Sequence, residues 1–570
     1  MLSTSKTQIS RLCLLDLCWI ALLLGVFYAI LIGSHPLFTP DEGRYSEIAR
    51  EMTATGDYIT PRLNGVAFLD KPILYYWLQA SAIQLFGLKE AALRFWPAVF
   101  GVFGCLITYL AGHLLFNRRT GILAALILAT TPLYYGAAHY ANLDLEVAVL
   151  ISSALFCFLI GIQSKSKKTG ACFLIAAYVF SALAALTKGL IGIAFPAMII
   201  GSWILILNRW SVLKKMHLLT GIVIFFAITA PWYWLVQKAN PQFFHFFFVT
   251  QQVARFLTKA DFNNQTPVWF YLPIVLMGLL PWTAFVFQAI TQKVRAVAGD
   301  RKKHANELFL LLWFFIIFIF FSIPKSKTIG YIIPVFPPLS LMIADYLSSV
   351  WNQKTKGLFF GAVSFILLSL AVITTCFAAP HVAGLDIQPA LLPYLYFTAG
   401  TFFIAALITC FLLYRKDFNK IIYLLITVSA VFLLTFIASA SIINQKSIKP
   451  LAIELNKKIK PNDELVTYFK YYQDLPLYTQ RRVTVVADWL ADDIPHYDNW
   501  QRELWFGMPF QDTREWLIDD KTFLSRWNSQ KRLFVLMNEG FYPQFSKQIK
   551  NKIYKIAENN GVILISNQST

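Results

Sequence analysis

Residues 421–443 read IIYLLITVSAVFLLTFIASASII, twenty-three positions without a charge. At about 1.5 Å of rise per residue, a helix over this run crosses the roughly 30 Å hydrocarbon core of a bilayer. The same kind of run recurs along most of the 570-residue chain, which is 57% hydrophobic and only 14% charged. Ordinary soluble proteins hold about 45–50% apolar and about 25% charged residues. The composition therefore excludes a water-soluble enzyme, a disordered chain and a fibrous repeat. It points to a mainly α, polytopic membrane protein.

Working outward from that run, about thirteen spans are expected, at 11–33, 91–116, 120–138, 145–163, 171–187, 188–207, 217–237, 267–289, 307–323, 328–350, 357–379, 391–414 and 420–443. The fifth and sixth read equally as one long run broken near Lys188-Gly189. Alternate loops carry Arg118-Arg119, Lys165 with Lys167-Lys168, Arg209 with Lys214-Lys215, Arg301-Lys302-Lys303, Lys354 with Lys356, and Arg415-Lys416. Short basic loops stay in the cytoplasm. The N-terminus is thus expected inside and, after an odd number of spans, the C-terminal segment outside. The net charge of +19 belongs mostly to the membrane part, where it reflects this bias and not a nucleic-acid partner.

The chain divides at the end of the last apolar run. Residues 1–444 form the membrane domain, with long outer loops at 34–90 and 238–266, and 445–570 form a small soluble α/β domain. In that tail Glu464–Tyr468, Arg482–Val486, Arg532–Leu536 and Gly561–Ser566 read as strands, and Asp512–Trp527 as a helix with mixed charge. The tail shows no motif to which chemistry can be assigned. All seven cysteines lie in apolar runs without metal spacing.

The first outer loop opens on Thr39-Pro40-Asp41-Glu42. One reading is structural: Thr39 at N-cap, Pro40 at N1 and Glu42 at N3 make a capping box, with Asp41 complementing the helix dipole. Tyr45, Ile48, Ala49 and Met52 would then face the membrane interface. The other reading is functional, because a carboxylate beside the end of a span is expensive without a partner or a task. Further along, Lys71 in Asp70-Lys71-Pro72 is an outward cation against the positive-inside trend, either snorkelling or held for an anion. Pro324-Lys325-Ser326-Lys327 repeats the exception in a tight turn, and Arg255 is a fourth outward cation. Together the four suggest a site for a phosphorylated lipid. Asp144 or Glu146, at the start of the fourth span, either caps that helix or supplies a second outer carboxylate. His139 and His245 are expected to be packed histidines.

These segments resemble the GT-C membrane glycosyltransferases, in the aminoarabinose transferase (lipid A modifying) branch of the protein-mannosyltransferase superfamily. The resemblance rests on Thr39-Pro-Asp-Glu-Gly-Arg-Tyr45 and Asp70-Lys-Pro-Ile-Leu-Tyr-Tyr-Trp77. Leu143-Asp144, Arg255-Phe256 and Ser326-Lys-Thr-Ile-Gly-Tyr-Ile-Ile-Pro334 support it. It implies a sugar donor on undecaprenyl phosphate, 4-amino-4-deoxy-L-arabinose or another aminosugar, and transfer to lipid A outside the cytoplasmic membrane. Carried over by position, Asp41 and Asp144 resemble the family's essential carboxylates, and Lys71, Arg255, Lys327 and Lys325 its phosphate cradle. Glu42, Arg44, Tyr45, Asp70 and Tyr76 are the supporting set. Asp70 stands where the family usually has Glu, and Gln252 where it often has His, at positions associated with a metal in relatives. Gln is a poor zinc ligand, so neither a metal nor another cofactor is expected. Two alternatives stay open: a transferase acting on a protein or another glycan, and a lipid-phosphate transporter or flippase without chemistry. Neither paired broken helices in two halves nor a Walker-type loop is evident to favour transport.

Overall fold

The computed structural model describes residues 11–254, 266–351, 353, 355–382, 384, 387–549 and 552–569. Among these, ten helices are long and apolar enough to cross a membrane, from Arg11–Ala29 to Phe418–Ile443. Two further expected spans are not straight. Arg118–Ala129 and Pro132–Ala138 meet at 67°, and Val268–Gly278 and Thr283–Gly299 at 112°. Each break carries a proline, Pro132 or Pro281, whose ring and missing N–H interrupt a helix. The Trp282 indole N–H donates to Thr130 Oγ1 at 3.0 Å, tying one break to the other. The run at 171–207 is two helices, Lys167–Lys188 and Ile191–Leu207, parted at Gly189 with φ +84°. Ile191–Leu207, at 17 residues, is shorter than the other spans.

The chain forms two compact units. Unit 1 comprises Met1–Ser34, Arg94–Pro231 and Thr266–Ile443; unit 2 comprises His35–Leu93, Trp232–Gln265 and Asn444–Thr570.

Within unit 1 the loops sort onto two ends of the helices. At one end Ser348 donates to Asn117 (3.2 Å), Gln163 to Asn306 (2.7 Å) and Arg209 to the Lys302 carbonyl (3.1 Å). The Arg119 guanidinium lies 4.8 Å from the Trp351 ring centre, and Trp351 packs against Tyr423. The loops bearing the basic clusters thus neighbour one another. The opposite end holds Asp144, Lys188, Lys325, Lys327 and Tyr331.

Unit 2 contains a six-stranded sheet. Its strands follow a two-stranded hairpin of β1 (Arg62–Leu63) and β2 (Val66–Ala67). They are β3 (Glu464–Tyr468), β4 (Thr484–Val486), β5 (Leu517–Ile518), β6 (Leu533–Asn538), β7 (Tyr554–Asn559) and β8 (Val562–Ser566). The order is β5-β4-β3-β6-β8-β7, with β3 to β6 parallel and the last two antiparallel. β3 and β6 are buried on both faces, which is why they read as continuous apolar runs. The helix expected over Asp512–Trp527 is corrected: Leu517–Ile518 pairs with β4 as an edge strand, and only Asp520–Trp527 is helical, capped by Asp519. β7 escaped notice because none of its residues is fully buried and its alternation breaks at the register shift between Lys555 and Ala557.

Asp474 is fully buried, accepting from Ser447 Oγ at 2.9 Å and the Ile448 amide at 3.0 Å. Burial pushes its pKa up to about 7, against about 3.9 in an unfolded chain. The folded unit therefore retains a proton that the unfolded chain releases. The associated stability is fully present below about pH 4 and is lost as pH rises through 7, at up to about 1.4 kcal/mol per pH unit. Asp474→Asn is expected to flatten that slope, read as the apparent Tm of the purified protein from pH 4 to 8.

Candidate active site

The helix Asp41–Thr55 in unit 2 carries the first cluster. The capping box is corrected by one position. The helix starts at Asp41, and the Glu42 carboxylate reaches back to the Phe38 amide at 2.7 Å, not to that of Thr39. Nor is this an interfacial helix with one wet side. Tyr45, Ile48, Ala49 and Met52, expected to face the membrane interface, are buried within the protein, and so are Glu42, Gly43, Ser46, Glu47 and Glu51. A Cβ at Gly43 would lie 2.8 Å from the Asp474 amide nitrogen, so only glycine admits this approach.

Packing from both sides leaves Asp41 at the rim, with 38% of its side chain exposed. Arg44, one turn on, lies 3.4 Å from Asp41 and pairs with Glu503 at 2.5 Å. Gln473 donates to the other Glu503 oxygen at 3.3 Å. Burial works against the Arg44 cation, but the charges of Glu503, Asp41 and Asp70 outweigh it and raise its pKa. Asp70 therefore belongs to the same electrostatic group. The rings of Tyr45, Tyr75 and Tyr76 stand 5.8–6.1 Å apart behind it. The Tyr76 hydroxyl is buried with no hydrogen-bond partner among the described residues. Lys71 is half-buried, its Nζ 3.3 Å from the Asp70 carbonyl.

Glu503 and Gln473 come from the C-terminal segment, to which the sequence assigned no chemistry. Glu503 sits in the short helix Trp500–Trp505 capped by Asn499, and nothing in its local sequence marks it. Glu503→Gln, which removes the charge facing Arg44, is expected to destabilise unit 2 by about 3 kcal/mol, since a buried cation loses its counterion. A drop in apparent Tm measures it.

The second cluster lies in unit 1. Asn142 Oδ1 accepts the Asp144 amide N–H at 3.0 Å. Neither Asp144 nor Glu146 is therefore needed as the cap, and the Asp144 carboxylate is free to pair with Lys188. The Lys188 ammonium also lies 4.2 Å from the centre of the Tyr331 ring. A Cβ at Gly330 would fall 2.0 Å from Asp144 Oδ2, which explains the glycine before Tyr331. Tyr271 donates to the Thr328 carbonyl at 2.9 Å, and Lys327 Nζ to that of Thr266 at 3.1 Å. Lys327 is 4% exposed, and desolvation lowers its pKa; Lys325 in the same turn is exposed. Lys188 is the residue the sequence reading used only to mark a break. A lysine at the end of an apolar run facing the Asp144 corner was the available signal.

The expected sites thus fall into two sets: Asp41, Arg44, Tyr45, Asp70, Lys71 and Tyr76 in one unit, and Asp144, Lys325 and Lys327 in the other. Arg255 lies outside the described residues. His139 is packed as expected, its Nδ1 3.0 Å from the Tyr135 carbonyl. His245 is not; it is exposed and lines a cavity with Phe246, Phe506 and Phe510. Among the described residues no group of three or more His, Cys, Asp and Glu side chains is placed to hold a metal ion.

A family model described as dolichyl-phosphate-mannose-protein mannosyltransferase matches residues 70–234, and one described as the aminoarabinose transferase C-terminal domain matches 451–567. The fold is similar to the crystal structure of ArnT from Cupriavidus metallidurans bound to undecaprenyl phosphate. The TM-score is 0.85 at 25% identity, covering 97% of this chain and 98% of that one. In both family-model matches and in fold, the chain is similar to the aminoarabinose transferases. Among curated members, the undecaprenyl phosphate-alpha-4-amino-4-deoxy-L-arabinose arabinosyl transferase of Edwardsiella ictaluri is 31% identical over 355 residues, 62% of this chain and 63% of that one. The enzyme of the same name from Aeromonas salmonicida is 34% identical over 324 residues, 56% and 57% respectively. The chain thus matches about three fifths of the length of these two family members.

Proposed function

We propose that this protein transfers 4-amino-4-deoxy-L-arabinose, or a closely related aminosugar, from undecaprenyl phosphate to lipid A at the periplasmic face of a bacterial inner membrane. The observation that carries the reading is full-length similarity to a structure holding undecaprenyl phosphate. The outward lysines Lys71, Lys325 and Lys327, with Arg255, support it.

In the reaction, the bond from the anomeric carbon to the phosphate oxygen breaks and its electron pair stays on that oxygen. An acceptor oxygen forms the new bond at the same carbon. Charge builds on the leaving phosphate, where fixed cations at a low-dielectric boundary act most strongly. Lys327, whose buried ammonium lacks a carboxylate partner among the described residues, gains most from an incoming anion. The resemblance assigns the same task to Lys71 and Arg255, and Asp144 pairs with Lys188. Asp41 is the more available carboxylate. It takes the proton of a hydroxyl acceptor, or holds the donor's ammonium when the acceptor is a lipid A phosphate, already an anion. Asp144, committed to Lys188, orients that cation.

No step here needs a metal. Transfer by the purified protein is expected to proceed at an unchanged rate in EDTA, measured with lipid-linked donor. Mass spectrometry of lipid A from cells with and without the gene tests the function itself. The expected result is loss of one aminopentose mass per modified phosphate. An unchanged lipid A, or a missing mass on a protein or another glycan, overturns the assignment of acceptor.

A further inference from the structure

A second concavity lies at the other end of unit 1, where the helix Pro389–Arg415 gives way to Phe418–Ile443. It measures about 400 Å³ and is lined by Gln353, Phe411, Arg415, Lys416, Asp417 and Lys420, among others. Lys416 takes a left-handed conformation, φ +55°, which turns the chain tightly and gathers the basic side chains around one hollow. Lys420 pairs with Asp417 at 2.8 Å. Neither Arg415 nor Lys416 has an ion-pair partner among the described residues. The Arg415 guanidinium is 6.0 Å from the Phe411 ring centre, which directs it over the hollow.

The walls beside this hollow are apolar and open. Phe411, which lines the hollow, is 59% exposed, and Tyr414, three residues on along the same membrane-spanning helix, is 84% exposed. A ligand here meets two uncompensated cations at its head and hydrocarbon-facing rings along its flank. That combination fits one molecule, a phospholipid with an anionic headgroup, since basic pockets at the ends of spanning helices attract phosphate while the rings accept acyl chains. A soluble phosphate ester satisfies the cations alone and leaves the rings unused.

We propose that the Arg415–Lys420 turn and its cavity bind the headgroup of an anionic phospholipid, phosphatidylglycerol or cardiolipin. The site lies at the end of unit 1 opposite the Asp144 cluster, and the inference is independent of the sugar-transfer reading.

The test uses the full-length protein in nanodiscs and in native mass spectrometry, with phosphatidylglycerol, cardiolipin and phosphatidylcholine as probes. Wild type is expected to retain one anionic lipid. The triple variant Arg415→Gln, Lys416→Gln, Lys420→Gln should retain it at least tenfold less, on the order of fivefold for each unpaired cation removed. All three side chains are exposed, so the variant keeps its fold, checked by its elution profile and Tm. Lys214→Gln with Lys215→Gln, in another basic loop, should retain the lipid as wild type does. Equal retention by the triple variant overturns the proposal, as does equal loss in the control. Displacement by glycerol 3-phosphate as effective as by lipid overturns the lipid source.

Discussion

Replacing Asp41 by Asn, or Lys71 by Ala, is expected to lower sugar transfer from the lipid-linked donor by about 10²- to 10³-fold, the usual cost of losing a catalytic base or a preorganised charge. Both side chains sit at the rim of the first cluster rather than in its packing, so folding should survive. Asn keeps the shape of Asp41, and Arg44 retains Glu503 as its counterion after the change. The two variants should also differ in kind. Lys71→Ala weakens binding of undecaprenyl phosphate itself, whereas Asp41→Asn leaves that binding intact and slows turnover. Near-normal turnover in either variant, with wild-type expression and Tm, would refute the role given to that residue.

Lys188→Met should be nearly as damaging to transfer, about 100-fold, for a different reason. It strands Asp144 beside Gly330 and Tyr331 with no cation to face, and an uncompensated buried charge costs about 3–5 kcal/mol. Loss of activity could then reflect instability alone. The double variant Asp144→Asn, Lys188→Met separates the two effects, because removing both charges relieves the stranded one. It is expected to regain Tm while transfer stays low. Lys188→Arg keeps the charge and should recover part of the rate. Recovery of full transfer in the double variant would show that the pair only holds the fold together.

Much of this architecture was legible before any coordinates. Long uncharged runs have few alternatives in a bilayer, so ten of the expected spans appear as such. The bends within 120–138 and 267–289 were not read from the sequence, because a proline does not by itself say whether a span kinks or how far, which depends on what packs against the break. Asp41, Asp70 and Lys71 could be singled out because a charge at the edge of an apolar run is costly wherever it occurs. Glu503 could not, because its meaning depends on Arg44, more than four hundred positions away. β5 was hidden for a related reason: two residues make a strand only when a neighbour such as β4 offers its edge. The shift of the cap from Thr39 to the Phe38 amide shows the ordinary limit of boundary signals.

Unit 2 is stitched from three separated stretches, the last of which supplies all six strands of its larger sheet. During synthesis the stretch bearing Asp41 emerges early, yet Arg44 has no Glu503 to meet until some four hundred and fifty further residues have been made. The two clusters are therefore completed on different schedules. A chain halted after its last apolar run would lack Glu503 and every strand of the larger sheet. Assembly of unit 2 thus waits on complete translation, and ribosome stalling late in the message should yield protein in which Arg44 lacks its Glu503 partner.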